Sequence, residues 1–273
     1  AMKNIKPFFL LLLFCSCVFT NENLEPDQQT WNYALPHQFS LIDKDFLNLN
    51  EAILNDEYRN IHALVIIKDD KLIFENYYLD QQREDLNNID NATNILASIA
   101  IGMAIDDGYL ISTETPIADL LPEYENELSN DSLKKTITIR QLLTHRSGLS
   151  WNEIISKNDL EEMMNSNDWV KTLLNKPLDA IPGGRYNFNS GSSMILSKII
   201  QNLTNETLSS YIDRRLFKAL EIEGWLWTTD PSGTTNATNG LYLTQLDFTK
   251  IGYLLLKNGV WKNQVILSDD WIN

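Results

Sequence analysis

Cysteine and histidine are scarce in this sequence, 2 and 3 among 273 residues. Both cysteines, Cys15 and Cys17, fall within the first twenty residues. The body of the chain therefore has no pair for a disulfide, and the scattered histidines give no metal site. Positive charge is also short: 22 Lys and Arg stand against 37 Asp and Glu, a formal net charge of −15 with a pI near 4.6. A field of that sign repels phosphate backbones, and no local basic patch offsets it, so nucleic acid is excluded as a partner. No internal repeat appears. Gly183-Gly184 follows Pro182 and lacks a downstream Lys-Ser/Thr, so it reads as a turn rather than a phosphate loop, and no cofactor is expected. What remains is an ordinary globular composition, 43% hydrophobic and 22% charged, which rules out disorder, collagen and a fibrous repeat.

The first twenty residues read as a leader. Lys3 and Lys6 precede the apolar run Phe8–Phe14, which is too short to span a bilayer. Ser16-Cys17 after that run resembles a bacterial lipoprotein cleavage site, with Cys17 as the lipidation candidate. An exported protein is expected, periplasmic or anchored to the outer membrane through lipid alone. Residues 21–36 are polar and punctuated by Pro26 and Pro36, a tether in composition.

Beyond the tether, periodicity predicts a helix over Phe39–Leu54, with Ile42, Phe46, Leu49 and Ile53 on one face. Ile61–Ile67, Asp69-Asp70 and Leu72–Tyr78 read as strand, turn and strand. Ile95–Ile105 is apolar on all sides, so it is expected to be a fully buried helix, stopped at Asp106-Asp107-Gly108. Further helix signals lie at Thr138–Leu143, Asp168–Leu174, Ser192–Leu203, Leu208–Leu216 and Leu246–Leu256. A hairpin followed by a long helical section is α+β, not βαβ.

Four segments carry a family signature. They are Asn91-Ala92-Thr93-Asn94 leading into Ile101–Gly108, Ile137–Leu149 with its Leu143-Thr144-His145-Arg146-Ser147-Gly148 core, Pro182–Gly191, and Gly240–Phe248. In this order the chain resembles the serine β-lactamase and penicillin-binding-protein family, on its class C and esterase-like side, over roughly residues 55–273. The resemblance implies a β-lactamase/transpeptidase-like α+β fold, a helical domain on an antiparallel sheet. It divides the chain into an N-terminal part of the α/β domain at 37–80, a helical domain at 81–245 and a return to the α/β domain at 246–273. It also implies that the sheet is incomplete here, since the family's later strands would follow Asn273. A lone hairpin is marginal in water, so exposed edges and poor folding are expected of a truncated copy.

The implied chemistry is acyl transfer. In the family a Ser opens a buried helix within S-x-x-K, the Lys one turn later helps take its proton, and a Tyr in Y-x-N/S acts as base. Residues three apart on a helix share a face, which puts hydroxyl and amine within reach. Here the Ser position is Asn91, the Lys position is Asn94, the Tyr position is Phe188, and Ser190 holds the Asn/Ser position. An amide is neither an acyl-transfer nucleophile nor a proton shuttle, and phenyl has no hydroxyl. The resemblance therefore implies a family member without the proton-handling groups, keeping at most a vestigial cleft for a β-lactam, peptide or ester. Two alternatives stay open: an active serine hydrolase with its nucleophile in another register, and an envelope lipoprotein acting through interactions.

Other candidates have blander readings. Ser132-Leu133-Lys134-Lys135 is the only literal S-x-x-K, but it follows a polar loop and reads as a solvated turn. Ser98 has Ile101 at its +3 position and reads as a small core residue. His145 sits where the family has a helix end and turn, so structural duty is expected. Trp225 and Trp227 flank a strand-like stretch and read as core or pocket wall, and the Asn-x-Thr triplets at Asn91 and Asn202 as chance.

Overall fold

The computed structural model describes residues 31–156 and 158–273; the leader, Cys17 and most of the expected tether lie outside them. The tether ends sooner than its composition suggested. Trp31 is buried, and Asn32–Tyr33 forms strand β1, because an indole of that size gains more by covering the sheet than by lying in water. Helix α1 spans Asp43–Leu54, starting later than the periodicity indicated. Strands β2 (Ala63–Lys68) and β3 (Lys71–Tyr77) form the expected antiparallel hairpin, turning at Asp69 and Asp70 with φ of 46° and 65°. Aspartate tolerates such left-handed turn positions well. β1 lies parallel to the other side of β3, giving the order β1-β3-β2.

The pairing of β2 with β3 skips Ile73, since Ile66 faces Phe74 and Ile67 faces Leu72. That bulge reverses the alternation of faces. Phe74 then meets Phe46 of α1, with ring centroids 5.7 Å apart. Glu75 points away from α1, where it accepts from Tyr33 Oη, from Tyr77 Oη at 2.7 Å and from Arg83 Nε at 2.8 Å. Burial and the Glu75 charge hold both tyrosines un-ionised, far above the ordinary phenol range.

A second sheet closes the helical section at its base. Strands β4 (Asn87–Asn88), β5 (Trp225–Trp227) and β6 (Leu241–Leu243) assemble in the order β4-β6-β5. Asn87 pairs with Leu243, so the chain leaves and re-enters the section at one place. Of the strands beyond the hairpin only β5 matches an expectation, the strand-like stretch at Trp225–Trp227; the others are two or three residues long, too short to show alternation.

Between β4 and β5 run the short helices α3 (Glu125–Ser129), α4 (Ile139–Leu143), α5 (Asn158–Met164), α6 (Trp169–Asn175) and α8 (Leu208–Ile212), with the longer α2 (Asn94–Asp106) and α7 (Ser192–Thr204). α2 is buried around most of its circumference, with Leu96, Ile99, Ile101 and Met103 all at 2% exposure or less, but Ile95 in its first turn is 43% exposed where burial on every side was expected. Each such side chain contributes about 1.5–3 kcal/mol by leaving water. α8 continues into a π-helical turn at Asp213–Phe217, where a continuous helix to Leu216 had been expected. Trp225 and Trp227 pack on Phe217 at 5.7 and 6.3 Å, the core role their sequence suggested.

The last elements return to the first sheet. Helix α9 (Gln245–Leu256) is capped by Thr244, whose Oγ1 accepts from Asp247 N. Hairpin β7 (Val260–Trp261) and β8 (Gln264–Val265) precedes the short α10 (Asp269–Ile272). Trp31, Tyr253 and Trp261 meet edge to face, all three pairs at 5.7–5.9 Å. Trp271 of α10 lies on Gly102, the one residue of α2 without a side chain: a Cβ there would sit 2.5 Å from Trp271 Cγ.

That close approach gives a paired test. Gly102→Ala is expected to lower stability by about 1–3 kcal/mol through overpacking. Gly252→Ala, in α9 with nothing within 4 Å of its would-be Cβ, is expected to raise it by about 0.5–1 kcal/mol through helix propensity. Thermal or denaturant unfolding of the two variants against the parent measures both.

Candidate active site

The first three signature segments converge at the N-terminal ends of α2 and α7, and Thr238, just before the fourth, joins them through Asn94. Asp90–Thr93 is a 3₁₀ turn running directly into α2, which sets Asn91 at the exposed mouth of the helix and Asn94 at its first residue. The Asn94 amide is fully engaged. Its Nδ2 donates to Asn91 O at 2.8 Å and to Thr238 O at 3.1 Å, and its Oδ1 accepts from Ser193 Oγ. One side chain thus joins the start of α2, the start of α7 and the segment before β6. Thr93 beside it is completely buried, and its hydroxyl has no hydrogen-bond partner among the described residues.

The second segment is built around α4. Thr138 caps it, and Gln141 returns the bond to Thr138 N at 3.1 Å, a capping box. His145 then takes φ of 54°, and Gly148 takes 81°, where a Cβ would lie 2.3 Å from Ala180 O; only glycine fits there. His145 braces the third segment. Its carbonyl accepts from Asn187 N at 2.8 Å and its Nδ1 from Asn189 N at 3.3 Å. Its ring lies 4.9 Å from Phe188 and edge-on to Tyr186 at 5.9 Å. With Nδ1 accepting, the neutral ring carries its proton on Nε2. Burial holds its pKa below the ordinary 6.5, against an opposing pull from the Glu153 charge.

Ser190 does not join the Asn91–Asn94 pair. Its N and Oγ donate to Glu153 Oε2 at 2.9 and 2.7 Å, and Trp151 Nε1 donates to the same oxygen. Glu153 is buried, so these bonds are what make an ionised carboxylate tolerable there. Ser190 is itself only 1% exposed, so its hydroxyl is turned inward to Glu153 and away from any substrate in solvent. Ser193 donates to an amide oxygen, which is no base. The Ser132 motif resolves as the sequence suggested: Ser132 is exposed in a turn, and Lys135 Nζ is paired with Glu125 Oε1 at 2.6 Å. Ser98 is half-buried on α2, and Gly183 is a turn residue with φ of 83°.

Sequence reasoning missed Glu153, Ser193 and Thr238. Ser193 lies five residues beyond Phe188, inside a recognised stretch, and its helical position facing α2 was a usable signal. Glu153 sits in an irregular loop and gave none.

Two expectations follow. Asn94→Leu is expected to cost about 2–4 kcal/mol, since it removes three hydrogen bonds and strands Thr238 O and Ser193 Oγ; Asn91→Ala, on an exposed side chain, is expected to cost under about 0.5 kcal/mol. Both are measurable by denaturant unfolding. The depressed His145 pKa means the unfolded chain takes up the proton first as pH falls. That contribution vanishes well above pH 6.5 and weakens the fold as pH drops through and below it. His145→Asn, which keeps a residue suited to the left-handed turn, is expected to flatten that part of the unfolding-versus-pH curve.

Comparison with known proteins agrees with this frame. The family model described as Beta-lactamase matches residues 62–254. A lovastatin esterase from Penicillium rubens is 24% identical over 228 residues, 65% of this chain and 57% of that enzyme. Protein flp of Staphylococcus aureus is 25% identical over 131 residues, 48% of this chain and 26% of the relative. This chain thus spans between about a quarter and three-fifths of the curated relatives it matches. Among solved structures, a Bacillus anthracis protein described as a 6-aminohexanoate-dimer hydrolase superposes with a TM-score of 0.70 at 19% identity, covering 81% of this chain and 60% of that one. The octameric penicillin-binding protein homologue from Pyrococcus abyssi gives 0.63 at 18%, covering 84% and 59%. With the match spanning more than half of its length, the chain belongs to the β-lactamase family of serine-hydrolase folds.

Proposed function

We propose that this chain is a non-acylating member of the family, whose former catalytic centre serves as a structural junction beside a vestigial ligand cleft. The observation that carries the reading is the Asn94 amide. At the position where the family's lysine would take a proton, both amide hydrogens are committed to carbonyls and the oxygen to Ser193. An amide so engaged moves no proton at neutral pH. Phe188 adds no hydroxyl, Ser193 donates to an amide oxygen, and Ser190 is buried against Glu153. The cleft would take a carbonyl compound of the family's kind, a β-lactam, peptide or ester, without covalent attachment. An exported, lipid-anchored location belongs to the same proposal and is supported by the leader sequence alone.

Covalent labelling tests it. Incubation with a fluorescent penicillin and with a fluorophosphonate is expected to leave the intact mass unchanged. An acyl or phosphonyl adduct mapped by digestion to any serine would favour the active-hydrolase reading instead. The triple variant Asn91→Ser, Asn94→Lys, Phe188→Tyr is expected to label weakly at position 91, and the three single variants not at all, because such groups act as a unit.

A further inference from the structure

A cavity of about 440 Å³ lies between the β1–β3 face and the N-terminal end of α9, where the fourth signature segment contributes Thr244, Leu246 and Asp247 to its wall. It shares no residue with the Asn94 junction or the His145–Glu153 cluster. Trp31, Leu72, Leu86 and Leu246 supply its apolar wall. Arg83 and Lys250 also line it, and both have donors left over. Arg83 commits Nε to Glu75 at 2.8 Å and one Nη2 hydrogen to Tyr33 Oη at 3.5 Å, so three of its five N–H groups are without a partner among the described residues. Lys250 Nζ donates to Glu221 O at 2.8 Å and pairs with Asp247 Oδ1 at 2.7 Å, leaving one.

Acceptors inside the cavity are not in surplus. Asp247 is occupied, Oδ1 by Lys250 and Oδ2 by Thr244 Oγ1 at 3.0 Å. Glu84 lines the cavity too, from its exposed edge. Thr244 and Leu246 bring the positive end of the 12-residue α9 to the wall. The size falls within the roughly 300–1,000 Å³ of small-molecule sites, and an apolar wall with a few convergent polar groups is their usual chemistry.

We infer that this cavity is a second binding site, for a small amphipathic carboxylate whose aliphatic or aromatic body lies against Trp31 and Leu246 and whose head accepts from Arg83 and Lys250. Octanoate is the probe, titrated calorimetrically into the full chain. One octanoate is expected to bind per chain, at least tenfold more tightly than octanamide, which keeps the body and loses the charge. Arg83→Gln should weaken octanoate at least tenfold, but it removes a partner of the buried Glu75 and can unfold the chain. Gly224→Phe supplies the independent arm. Gly224 lines the cavity, and a Cβ there meets nothing within 4 Å, so the ring can enter without disturbing the fold. This variant is expected to melt like the parent and to bind octanoate at least tenfold more weakly. No heat with octanoate, equal affinity for octanamide, or undiminished binding by a well-folded Gly224→Phe would each overturn the inference.

Discussion

Helix α2 is apolar on every face, and that single constraint organises the rest of the helical section. A helix without a polar side must be surrounded, so α7 and α8 pack along it and Trp271 of the last helix closes over Gly102. Surrounding the helix also fixes its first turn. The polar residues that open α2 are held at a point where α7 begins and where the chain returns toward β6. Burial of apolar surface thus places Asn94, and hydrogen bonds only finish the placement.

The junction at Asn94 shows how one carboxamide can tie three segments together. The backbone carbonyls of Asn91 and Thr238 need donors, and Ser193 Oγ needs an acceptor. A carboxamide has two donors and an acceptor in one planar group, so it satisfies all three. A lysine would supply donors only, and it would bring a charge whose desolvation must be compensated. Around this point Gly148 and the left-handed His145 hold their turns for steric reasons that have nothing to do with proton transfer.

Much of this was legible in the residues. The α2 helix, the Asp69-Asp70 hairpin and α9 each carried a long periodic or turn signal, and the structure sets them within a residue or two of the expected bounds. The family motifs gave the fold, because motif order reports on topology. What the sequence hid was short or non-local. Strands of two or three residues have no period. The burial of Trp31 depends on Tyr253 and Trp261 more than two hundred residues away. Glu153 is an acid in a polar loop until Ser190 and Trp151 close on it, and nothing in its neighbourhood announces that pairing.

The bulge at Ile73 shows how far one backbone irregularity reaches. Strict alternation along β3 would put Leu72, Phe74 and Asn76 on one face, and α1 would then have to cover all three. Skipping one residue sends Leu72 to the α9 side, where it meets Trp31, and keeps Phe74 for α1. It also turns Glu75 to the α9 side, and a buried carboxylate there must collect donors. Tyr33, Tyr77 and Arg83 answer that need. Glu75 accepts only one of the five Arg83 N–H groups, so the guanidinium is fixed in place while most of its donors have no partner among the described residues. The wall of the second cavity, with its anchored cation and its apolar floor, is therefore a consequence of where the strand slips register.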